Sequence, residues 1–298
     1  MTRSTAPLPV ADLVRLHERV ISWFEDYQRD LPWRRGASPW SVMVSEFMLQ
    51  QTPVARVLPV YESWIERWPT PAALAADSPG EAVRAWGRLG YPRRALRLHA
   101  AAGAIVALHD GEVPTSLPDL LALPGVGSYT AAAISSFAFA GREVVLDTNV
   151  RRVFARIVNG EQFPAASLNP AERELGTSLM PAVNAHRWAA ATMELGALIC
   201  TARSPRCDEC PVADMCRWRA AGYPEYDGVR RPTQSWEGTD RQCRGRLLAV
   251  LRDNAAPVAK LQLDLVWPDA VQRERALDGL VADGLVELVG EESYALPG

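Results

Sequence analysis

The segment from residue 118 to residue 149 constrains the fold of this chain more than any other stretch. Its first part, Leu123 to Gly127, is a tight glycine-containing turn between two helix-forming runs. Glycine tolerates a positive φ and has no Cβ, so backbone amides at the start of the second helix can approach a ligand closely. A helix N-terminus binds anions, and a nucleic-acid phosphate is an anion that fits there. The alternative is that the turn only connects two helices.

The second part of this segment contains Asp147. It follows the apolar run Val144 to Leu146 and precedes a helix predicted from Val150. Aspartate at such a position is commonly a helix N-cap. The helix dipole also favours an ionised carboxylate there, which a reaction could use. The residues alone leave both interpretations open.

Glu46 lies in the middle of a helix predicted over Pro39 to Gln51. The valine, methionine, phenylalanine and leucine residues around it make this helix apolar on nearly every side, so we expect the helix to be buried. A carboxyl group in an apolar pocket has a raised pKa and can stay protonated, ready to act as an acid. A solvent-facing glutamate is the ordinary alternative.

Four of the five cysteines lie close together, as Cys200, Cys207, Cys210 and Cys216, with the spacing C-x6-C-x2-C-x5-C. Such a cluster argues for a metal site and against a secreted disulfide framework. Zinc sites usually have paired CxxC or Cys/His ligands, whereas this loop has one CxxC and no histidine. Four unevenly spaced thiolates suit a [4Fe–4S] cluster, with zinc as the alternative. Cys243 stands apart and is predicted to be an ordinary thiol.

These features together resemble the helix-hairpin-helix DNA glycosylases. LPGVGSYTA is similar to their hairpin, LDTNVRR to the segment that carries their catalytic aspartate, and the cysteine spacing to the cluster loop of endonuclease III and MutY. Within the superfamily, SEFMLQQT and GRLGY resemble the MutY branch, which comprises adenine-specific repair enzymes. The second tyrosine of that branch's GLGYY string is replaced here by Pro92.

The resemblance implies a role for each matching residue. Glu46 would protonate the adenine ring, and Asp147 would stabilise or transiently capture the sugar cation. Gln51 would wedge into the duplex beside the flipped base, and Tyr91 would intercalate next to the damaged guanine. The remaining matching positions comprise the catalytic neighbours Tyr129 and Asn149, an adenine pocket of Arg29, Leu31, Trp33, Arg34 and Glu194, and the DNA contacts Gln50, Thr52, Gly125, Val126, Gly127 and Ser128.

Bifunctional relatives such as endonuclease III place a lysine two residues after the second glycine of the hairpin. Tyr129 occupies that position here, and the only lysine in the sequence is Lys260. A lysine-based Schiff-base lyase therefore has no candidate, which predicts a monofunctional glycosylase. Two alternatives stay open. One is a thymine or uracil mismatch glycosylase of the same superfamily, and the other is a non-catalytic iron–sulfur DNA-binding sensor, which needs no pair of carboxyl groups.

The predicted fold is mostly α, a two-lobed helix-hairpin-helix glycosylase with a [4Fe–4S] loop and a small winged-helix-like α+β C-terminal domain. The order of a helix, a short apolar segment, a second helix and a hairpin after about Arg241 suggests the winged helix. The predicted division is a catalytic domain over 1–220, with a six-helix lobe at about 35–150 and an N-terminal and cluster lobe at 1–34 and 151–220, then a linker at 221–240 and the C-terminal domain at 241–298.

The formal net charge is −3, and acidic residues outnumber basic ones mainly in residues 245–298. Arginines cluster at Arg84 to Arg97 and at Arg142 to Arg156, which is compatible with phosphate contact. No apolar run reaches the roughly 18 residues of a membrane span, and the N-terminus lacks a secretory pattern. We therefore expect a cytoplasmic, nucleoid-associated monomer. Its partner would be double-stranded DNA that contains a mispaired or lesion-opposed adenine.

Overall fold

The computed structural model describes residues 8–226, 228 and 236–298. Of the predicted linker at 221–240, residues 227 and 229–235 lie outside the described residues, as do residues 1–7 of the predicted catalytic domain. Contacts between Cα atoms divide the chain into two compact units. The first unit comprises residues 1–37, 115–117 and 127–230, and the second comprises 38–114, 118–126 and 231–298.

The described residues are mostly helical, as predicted. In chain order the helices are α1 (Val10–Tyr27), α2 (Pro39–Leu49), α3 (Val54–Arg67), α4 (Pro71–Ala75), α5 (Pro79–Trp86), α6 (Arg93–Leu108), α7 (Leu117–Ala122), α8 (Ser128–Phe139), α9 (Thr148–Phe154), α10 (Pro170–Ser178), α11 (Ala185–Leu198), α12 (Arg217–Ala220), α13 (Asp240–Asp253), α14 (Lys260–Asp264) and α15 (Ala270–Ala282). The strands are β1 (Val258–Ala259), β2 (Glu287–Val289) and β3 (Ser293–Ala295). Short 3-10 turns lie at Pro32–Arg34, Cys207–Glu209 and Ala213–Met215, and a π-helical turn at Ala155–Asn159 follows α9.

The core of the first unit forms where α1, α9 and α11 pack together. The apolar stripe of α1, which repeats at helical spacing, is buried against Trp188 and Leu195 of α11. Helix α9 approaches α11 closely at Gly196, where a Cβ would lie 2.7 Å from the Cβ of Asn149. This glycine therefore sets the distance between the two helices.

The core of the second unit includes α2, whose burial on nearly every side was predicted. Met43, Val44 and Met48 are fully buried. The helix begins at Ser38, whose hydroxyl accepts a hydrogen bond from the backbone N–H of Ser41. Helix α6 packs against α2, α4 and α5.

Residues 236–298 of the second unit, called the C-terminal module below, contain α13–α15 and a three-stranded antiparallel sheet in the order β1-β3-β2. Leu288 pairs with Tyr294 in the β2–β3 hairpin. The two predicted helices and the hairpin occur in the predicted order, but the short apolar segment between the helices contains β1 and α14, which were not predicted. Helix α13 begins at Asp240, four residues before the predicted start, because Thr239 caps it by accepting from the N–H of Gln242.

The contact units differ from the predicted lobes, mainly in the assignment of residues 127–150 and of the C-terminal module. The six-helix lobe was predicted to run to about residue 150, whereas residues 127–150 group with the first unit. The reason is packing, because Ala132 and Ala133 of α8 lie against Val145 and against Ala189 of α11. In addition, the C-terminal module groups with helices α2–α6 instead of forming a contact unit of its own. Within the described residues no helix has the length and apolar character needed to cross a bilayer.

Candidate active site and cysteine loop

Asp147 is the N-cap of α9, and both of its carboxylate oxygens are engaged. Oδ1 accepts from the backbone N–H of Val150 at 2.7 Å, and Oδ2 accepts from Nδ2 of Asn149 at 2.9 Å. Burial raises the pKa of Asp147, while these two hydrogen bonds act in the opposite direction. The capping interpretation is therefore correct, and it leaves the carboxylate half-buried at a helix N-terminus, as a catalytic role also requires.

Asn149 connects Asp147 to the helix before the cysteines. Nη2 of Arg152 donates to Oδ1 of Asn149 at 2.8 Å and to the carbonyl of Gly196 at 2.7 Å. Nε of the same arginine donates to the carbonyl of Cys200 at 2.8 Å. Arg152 thus joins the Asp147 segment to the first cysteine of the loop. Sequence reasoning placed this arginine only within a basic cluster.

The predicted pocket residues Arg29, Arg34 and Glu194 are brought into direct contact. The Glu194 carboxylate is fully buried. It accepts from Nε and Nη2 of Arg29 at 2.8 and 2.7 Å, and from Nη2 of Arg34 at 3.0 Å. Burial alone would raise the pKa of Glu194, but the hydrogen bonds from the two arginines outweigh it and lower the pKa to about 2. The site therefore contains a carboxylate that is ionised at neutral pH and hydrogen-bonded to two guanidinium groups.

The other two predicted pocket residues lie on the segment between these arginines. Leu31 is buried, and Trp33 is half-buried in the 3-10 turn Pro32–Arg34. The guanidinium of Arg34 also lies 5.3 Å from the centre of the Phe24 ring of α1. Packing and ion pairing together fix the conformation of this segment.

Glu46 lies on α2 in the second unit and is 5% exposed. The prediction that this carboxyl group is buried in an apolar helix is confirmed. Asp147 belongs to the first unit. That the two acids act on one substrate therefore stays a prediction.

The turn after α2 and the loop that carries Tyr91 are held by one buried side chain, Arg94. Its Nη1 donates to the carbonyls of Phe47 at 2.9 Å and of Gln50 at 2.5 Å. Its Nη2 donates to Oγ1 of Thr52 at 3.0 Å and to the carbonyl of Gly90 at 3.1 Å. Burial lowers the pKa of Arg94 to about 10.

Sequence reasoning missed the role of Arg94 and counted it only within a basic cluster. The signal was present, because Arg94 lies four residues before Leu98 on the buried stripe of α6. An arginine on an apolar stripe needs buried hydrogen-bond acceptors.

Gln51 and Tyr91, the two residues predicted to enter the duplex, have backbone conformations unusual for side-chain-bearing residues. Their φ angles are +56° and +47°, and both residues are exposed. Left-handed φ values outside glycine are strained and concentrate at functional positions. The hydrogen bonds of Arg94 bring Gln50, Thr52 and the loop at residues 87–91, which carries Tyr91, close together.

The hairpin glycines differ in their surroundings. Gly125 has φ of +80°, and a Cβ there would lie 2.7 Å from the Cβ of Arg97, so glycine is required. Gly127 is the N-cap of α8 and supplies no side-chain oxygen to the first turn of that helix. Gly127 and Ser128 are exposed, whereas the Val126 side chain is buried. Val126 can therefore meet a ligand only through its backbone.

The four cysteines of the loop line one cavity. Their neighbours there include Leu195, Ile199 and Trp218. All four are free thiols, and burial raises the pKa of Cys210 to about 12. Within the described ranges no group of three or more His, Cys, Asp or Glu side chains is placed to hold a metal ion. Four cysteine thiols that line one cavity are nevertheless the ligand set that a [4Fe–4S] cluster uses.

Arg156 supports this loop from the π-helical turn after α9. Its Nη1 donates to Sγ of Cys200 at 3.3 Å and to the carbonyl of Thr201 at 2.8 Å. Its guanidinium lies 4.5 Å from the centre of the Trp218 ring. This buried cation therefore stabilises the negative charge that deprotonated cysteines would carry.

Comparison with known proteins identifies two matching family models. Residues 44–175 match the model of the HhH-GPD superfamily base excision DNA repair proteins. Residues 200–216 match the iron–sulfur binding domain of endonuclease III. The second match begins and ends at cysteines of the loop, which confirms the prediction of an iron–sulfur site.

Two solved structures resemble the fold. A thermostable thymine-DNA glycosylase aligns with a TM-score of 0.64 and 25% identity over 71% of this chain and 98% of its own. An endonuclease III in a non-covalent complex with DNA aligns with a TM-score of 0.60 and 23% identity over 72% of this chain and 98% of its own. These similarities confirm the predicted helix-hairpin-helix fold.

Similar sequences extend over nearly the whole chain. The adenine DNA glycosylase of Mycolicibacterium smegmatis is 53% identical over 281 residues, which is 94% of this chain and 95% of the relative. The adenine DNA glycosylase of Mycobacterium tuberculosis is 50% identical over 297 residues, which is 99% of this chain and 96% of the relative. The human adenine DNA glycosylase is 39% identical over 220 residues, which is 70% of this chain and 40% of the relative. The chain therefore belongs to the adenine DNA glycosylase family of the HhH-GPD superfamily.

Proposed function

We propose that this protein is a monofunctional base excision repair enzyme that hydrolyses the N-glycosidic bond of adenine opposite 8-oxoguanine or guanine in duplex DNA. The observation that carries the proposal is the identity of 50–53% to adenine DNA glycosylases over nearly the full length. The geometry around Asp147 and Glu194 supplies a chemical basis for each step.

Asp147 stabilises the positive charge that develops on the sugar when adenine departs. An oxocarbenium-like sugar needs an anion near C1′, as in glycoside hydrolysis. The hydrogen bonds from Val150 and Asn149 orient the Asp147 carboxylate and stabilise its ionised form. The N-terminal end of α9 adds a favourable dipole. Tyr129 and Asn149 line this site and keep the carboxylate in position.

Glu46 protonates the leaving adenine. Its burial in α2 supports this role, because an ionised carboxylate is costly among apolar side chains whereas a protonated one can donate to a ring nitrogen. Adenine is a better leaving group once protonated. Enzymes of this type flip the target base out of the stack, which costs about a few kcal/mol.

The adenine pocket is formed by the segment from Arg29 to Arg34, with Leu31 and Trp33 as its apolar walls. Glu194 is fully buried beneath both guanidinium groups, so its role is to position the arginines. The arginines in turn offer N–H donors to the everted nucleotide.

The protein lacks the lyase activity of its bifunctional relatives. Tyr129 stands where those enzymes carry lysine. The single lysine, Lys260, donates to Asp264 at 2.8 Å and to Glu274 at 2.5 Å within the C-terminal module. The reaction therefore ends at an abasic site.

Gln51 and Tyr91 enter the duplex on either side of the mismatch, while Gln50, Thr52 and the hairpin residues 125–128 contact its backbone. The exposed amides at the start of α8 suit a phosphate. We further propose that the enzyme acts as a monomer in the cytoplasm, associated with the nucleoid.

Cys200, Cys207, Cys210 and Cys216 hold a [4Fe–4S] cluster. When bound, the cluster would offset part of the negative charge of the four thiolates and would cross-link the loop. Arg156 and Arg152 contact Cys200 and so connect the loop to the segment that carries Asp147.

The decisive experiment is single-turnover cleavage of four duplexes that contain A opposite 8-oxoguanine, A opposite G, T opposite G and U opposite G. We expect adenine release from the first two, no strand cleavage without base treatment, and loss of release in Asp147→Asn and Glu46→Gln. Preferred thymine or uracil release would support the alternative mismatch glycosylase, and binding without any release would support the sensor. A strong covalent adduct with borohydride would contradict the monofunctional assignment.

A further inference from the structure

The loop at residues 87–91, called the Tyr91 loop, has a strained backbone. Gly87, Gly90 and Tyr91 have φ angles of +53°, +84° and +47°. The left-handed conformation of Tyr91 is unfavourable for a residue with a Cβ and persists only where the surroundings impose it. The flanks of this loop should therefore be firmly anchored.

The flank before the loop is anchored to the C-terminal module by two reciprocal arginine contacts. Nε of Arg252 in α13 donates to the carbonyl of Val83 at 3.0 Å. In the opposite direction, Nη1 of Arg84 donates to the carbonyls of Arg252 and of Asn254, the latter at 3.0 Å. Arg252 thus binds the backbone of α5, and Arg84 binds the backbone at the end of α13.

The start of α5 is also joined to this module. The N–H of Gly80 donates to the carbonyl of Pro297 at 2.8 Å. A side chain at position 80 would collide with that carbonyl. Helix α5 therefore contacts the module along its length.

The flank after the loop is anchored by an ion pair. Nη1 of Arg93, the first residue of α6, lies 3.1 Å from Oδ1 of Asp283 at the end of α15. The other oxygen of Asp283 accepts from Arg244 of α13. The C-terminal module therefore holds both flanks of the Tyr91 loop.

Residues 258–298 of the module offer little positive charge to DNA. In a winged helix the second helix of the helix-turn-helix usually reads the major groove. In this module Arg275 of α15 pairs with Asp240, Arg273 pairs with Asp264, and Lys260 pairs with Asp264 and Glu274. These are all the basic residues of 258–298, and each is neutralised by an acid of the module itself.

We propose that the C-terminal module is a brace for the Tyr91 loop and that it sets, through this loop, the discrimination between 8-oxoguanine and guanine opposite adenine. This inference rests on the proposed function, in which Tyr91 intercalates beside the opposite base. The module contributes by holding the loop in its strained conformation before DNA arrives, so that less binding energy is lost in ordering it.

The test compares Asp283→Asn with Asp240→Asn in the full-length holoenzyme. Both substitutions remove one carboxylate charge from a partly exposed ion pair, but only Asp283 reaches the flank of the Tyr91 loop. We expect Asp283→Asn to reduce the preference for A opposite 8-oxoguanine over A opposite G by about threefold, since partly exposed ion pairs contribute little. Asp240→Asn should leave the preference unchanged. Arg252→Gln, which removes a more buried contact, should reduce it about tenfold.

Hydrogen–deuterium exchange gives a second readout that does not depend on catalysis. Amides of residues 87–93 should exchange faster in Asp283→Asn and in Arg252→Gln, but not in Asp240→Asn. If Arg252→Gln does not fold, the exchange rates of residues 87–93 in Asp283→Asn alone test the brace. Unchanged exchange in Asp283→Asn, or an equal loss of preference in Asp240→Asn, would overturn the brace. Faster exchange with an unchanged preference would overturn its link to specificity. A wild-type protein that released no adenine would refute the proposed function, while the exchange experiment would still decide whether the module braces the loop.

Discussion

Arg152 donates from Nη2 to Oδ1 of Asn149 at 2.8 Å, and Asn149 donates in turn to Asp147 at 2.9 Å. The same guanidinium holds the carbonyl of Cys200 at 2.8 Å. The orientation of the proposed catalytic carboxylate therefore depends on the backbone of the cysteine loop. Burial lowers the pKa of Arg152, yet its carbonyl and amide acceptors keep this arginine in place.

Arg152→Gln should consequently reduce the single-turnover rate of adenine release, by about 10- to 100-fold, because a small displacement of a reacting group is costly. Duplex affinity should change little, since Arg152 is buried and does not reach DNA. Single-turnover rates at a saturating enzyme concentration measure the first effect, and dissociation constants for the duplex measure the second. Arg187→Gln, which removes a surface arginine that pairs with Glu25, serves as the control. A loss confined to affinity would contradict the positioning role.

Asp147→Asn should strongly reduce catalysis, and the variant should gain stability relative to the wild type as the pH rises from 4 to 7. Asparagine caps a helix about as well as aspartate, so the bond from Val150 is retained. The bond from Nδ2 of Asn149 is lost, because the amide group has only one acceptor oxygen. Because the pKa of Asp147 is raised in the folded state, its ionisation opposes folding. That penalty is absent below the unfolded-state pKa of about 4 and is complete above the folded-state pKa. The melting temperature of the variant minus that of the wild type should therefore become more positive as the pH rises from 4 to 7.

The rate of adenine release by Asp147→Asn should fall about 10²- to 10³-fold or more, because a neutral amide cannot balance the charge of the sugar cation. Thermal unfolding from pH 4 to pH 8 and single-turnover rates check both expectations. If this difference in melting temperature became more negative as the pH rose from 4 to 7, the charge of Asp147 would be shown to stabilise the fold.

Glu194→Gln should destabilise the first unit by about 3 kcal/mol, because two partly buried guanidinium groups lose their common counter-ion. The pKa of Glu194 is lowered to about 2, so its stabilisation is present above the unfolded-state pKa of about 4 and is lost as the pH falls through the folded-state value. The difference in unfolding free energy between the wild type and the variant should thus narrow from pH 5 towards pH 2. Glu174→Gln, an exposed position on α10, is the matched control. Equal stability of Glu194→Gln and the wild type at pH 7 would contradict the counter-ion role.

Arg94→Lys should weaken duplex binding by about tenfold and cost about 2 kcal/mol of stability. A lysine has one nitrogen and cannot reach acceptors on the turn after α2 and on the Tyr91 loop at once. Arg67→Lys, at a surface ion pair of the same unit, provides the comparison. Fluorescence anisotropy with an A opposite 8-oxoguanine duplex and chemical unfolding measure the two effects. Unchanged affinity would show that the turn and the loop do not need a common support.

The predictable features of this chain are those with a local sequence signal. The cap at Asp147, the apolar helix around Glu46 and the cysteine spacing each depend on neighbours within a few positions. Arg94 and Arg152 were not predicted as supports because their acceptors lie more than 40 residues away along the chain, at Phe47 and at Cys200. The apolar stripe of α6 indicates that Arg94 is buried, but nothing in its own segment identifies the distant carbonyls that it binds. The contact of Arg252 with the carbonyl of Val83 was not predicted for the same reason, because the two residues are 169 positions apart in the sequence.

Removal of iron from the holoprotein should loosen α9 more than α2. Without a cluster the four thiols of the loop lose the metal that holds them together, and the raised pKa of Cys210 leaves its thiol protonated near neutral pH. The carbonyl of Cys200 would then shift, and Arg152 with it. Amides of residues 148–154 should exchange faster by about tenfold or more, whereas those of α2, in the other unit, should be unaffected. Hydrogen–deuterium exchange before and after chelation, with iron content measured in parallel, checks this. Restored protection of residues 148–154 after cluster reconstitution would exclude chelator damage, and equal loosening of α2 would show that the whole fold depends on the cluster.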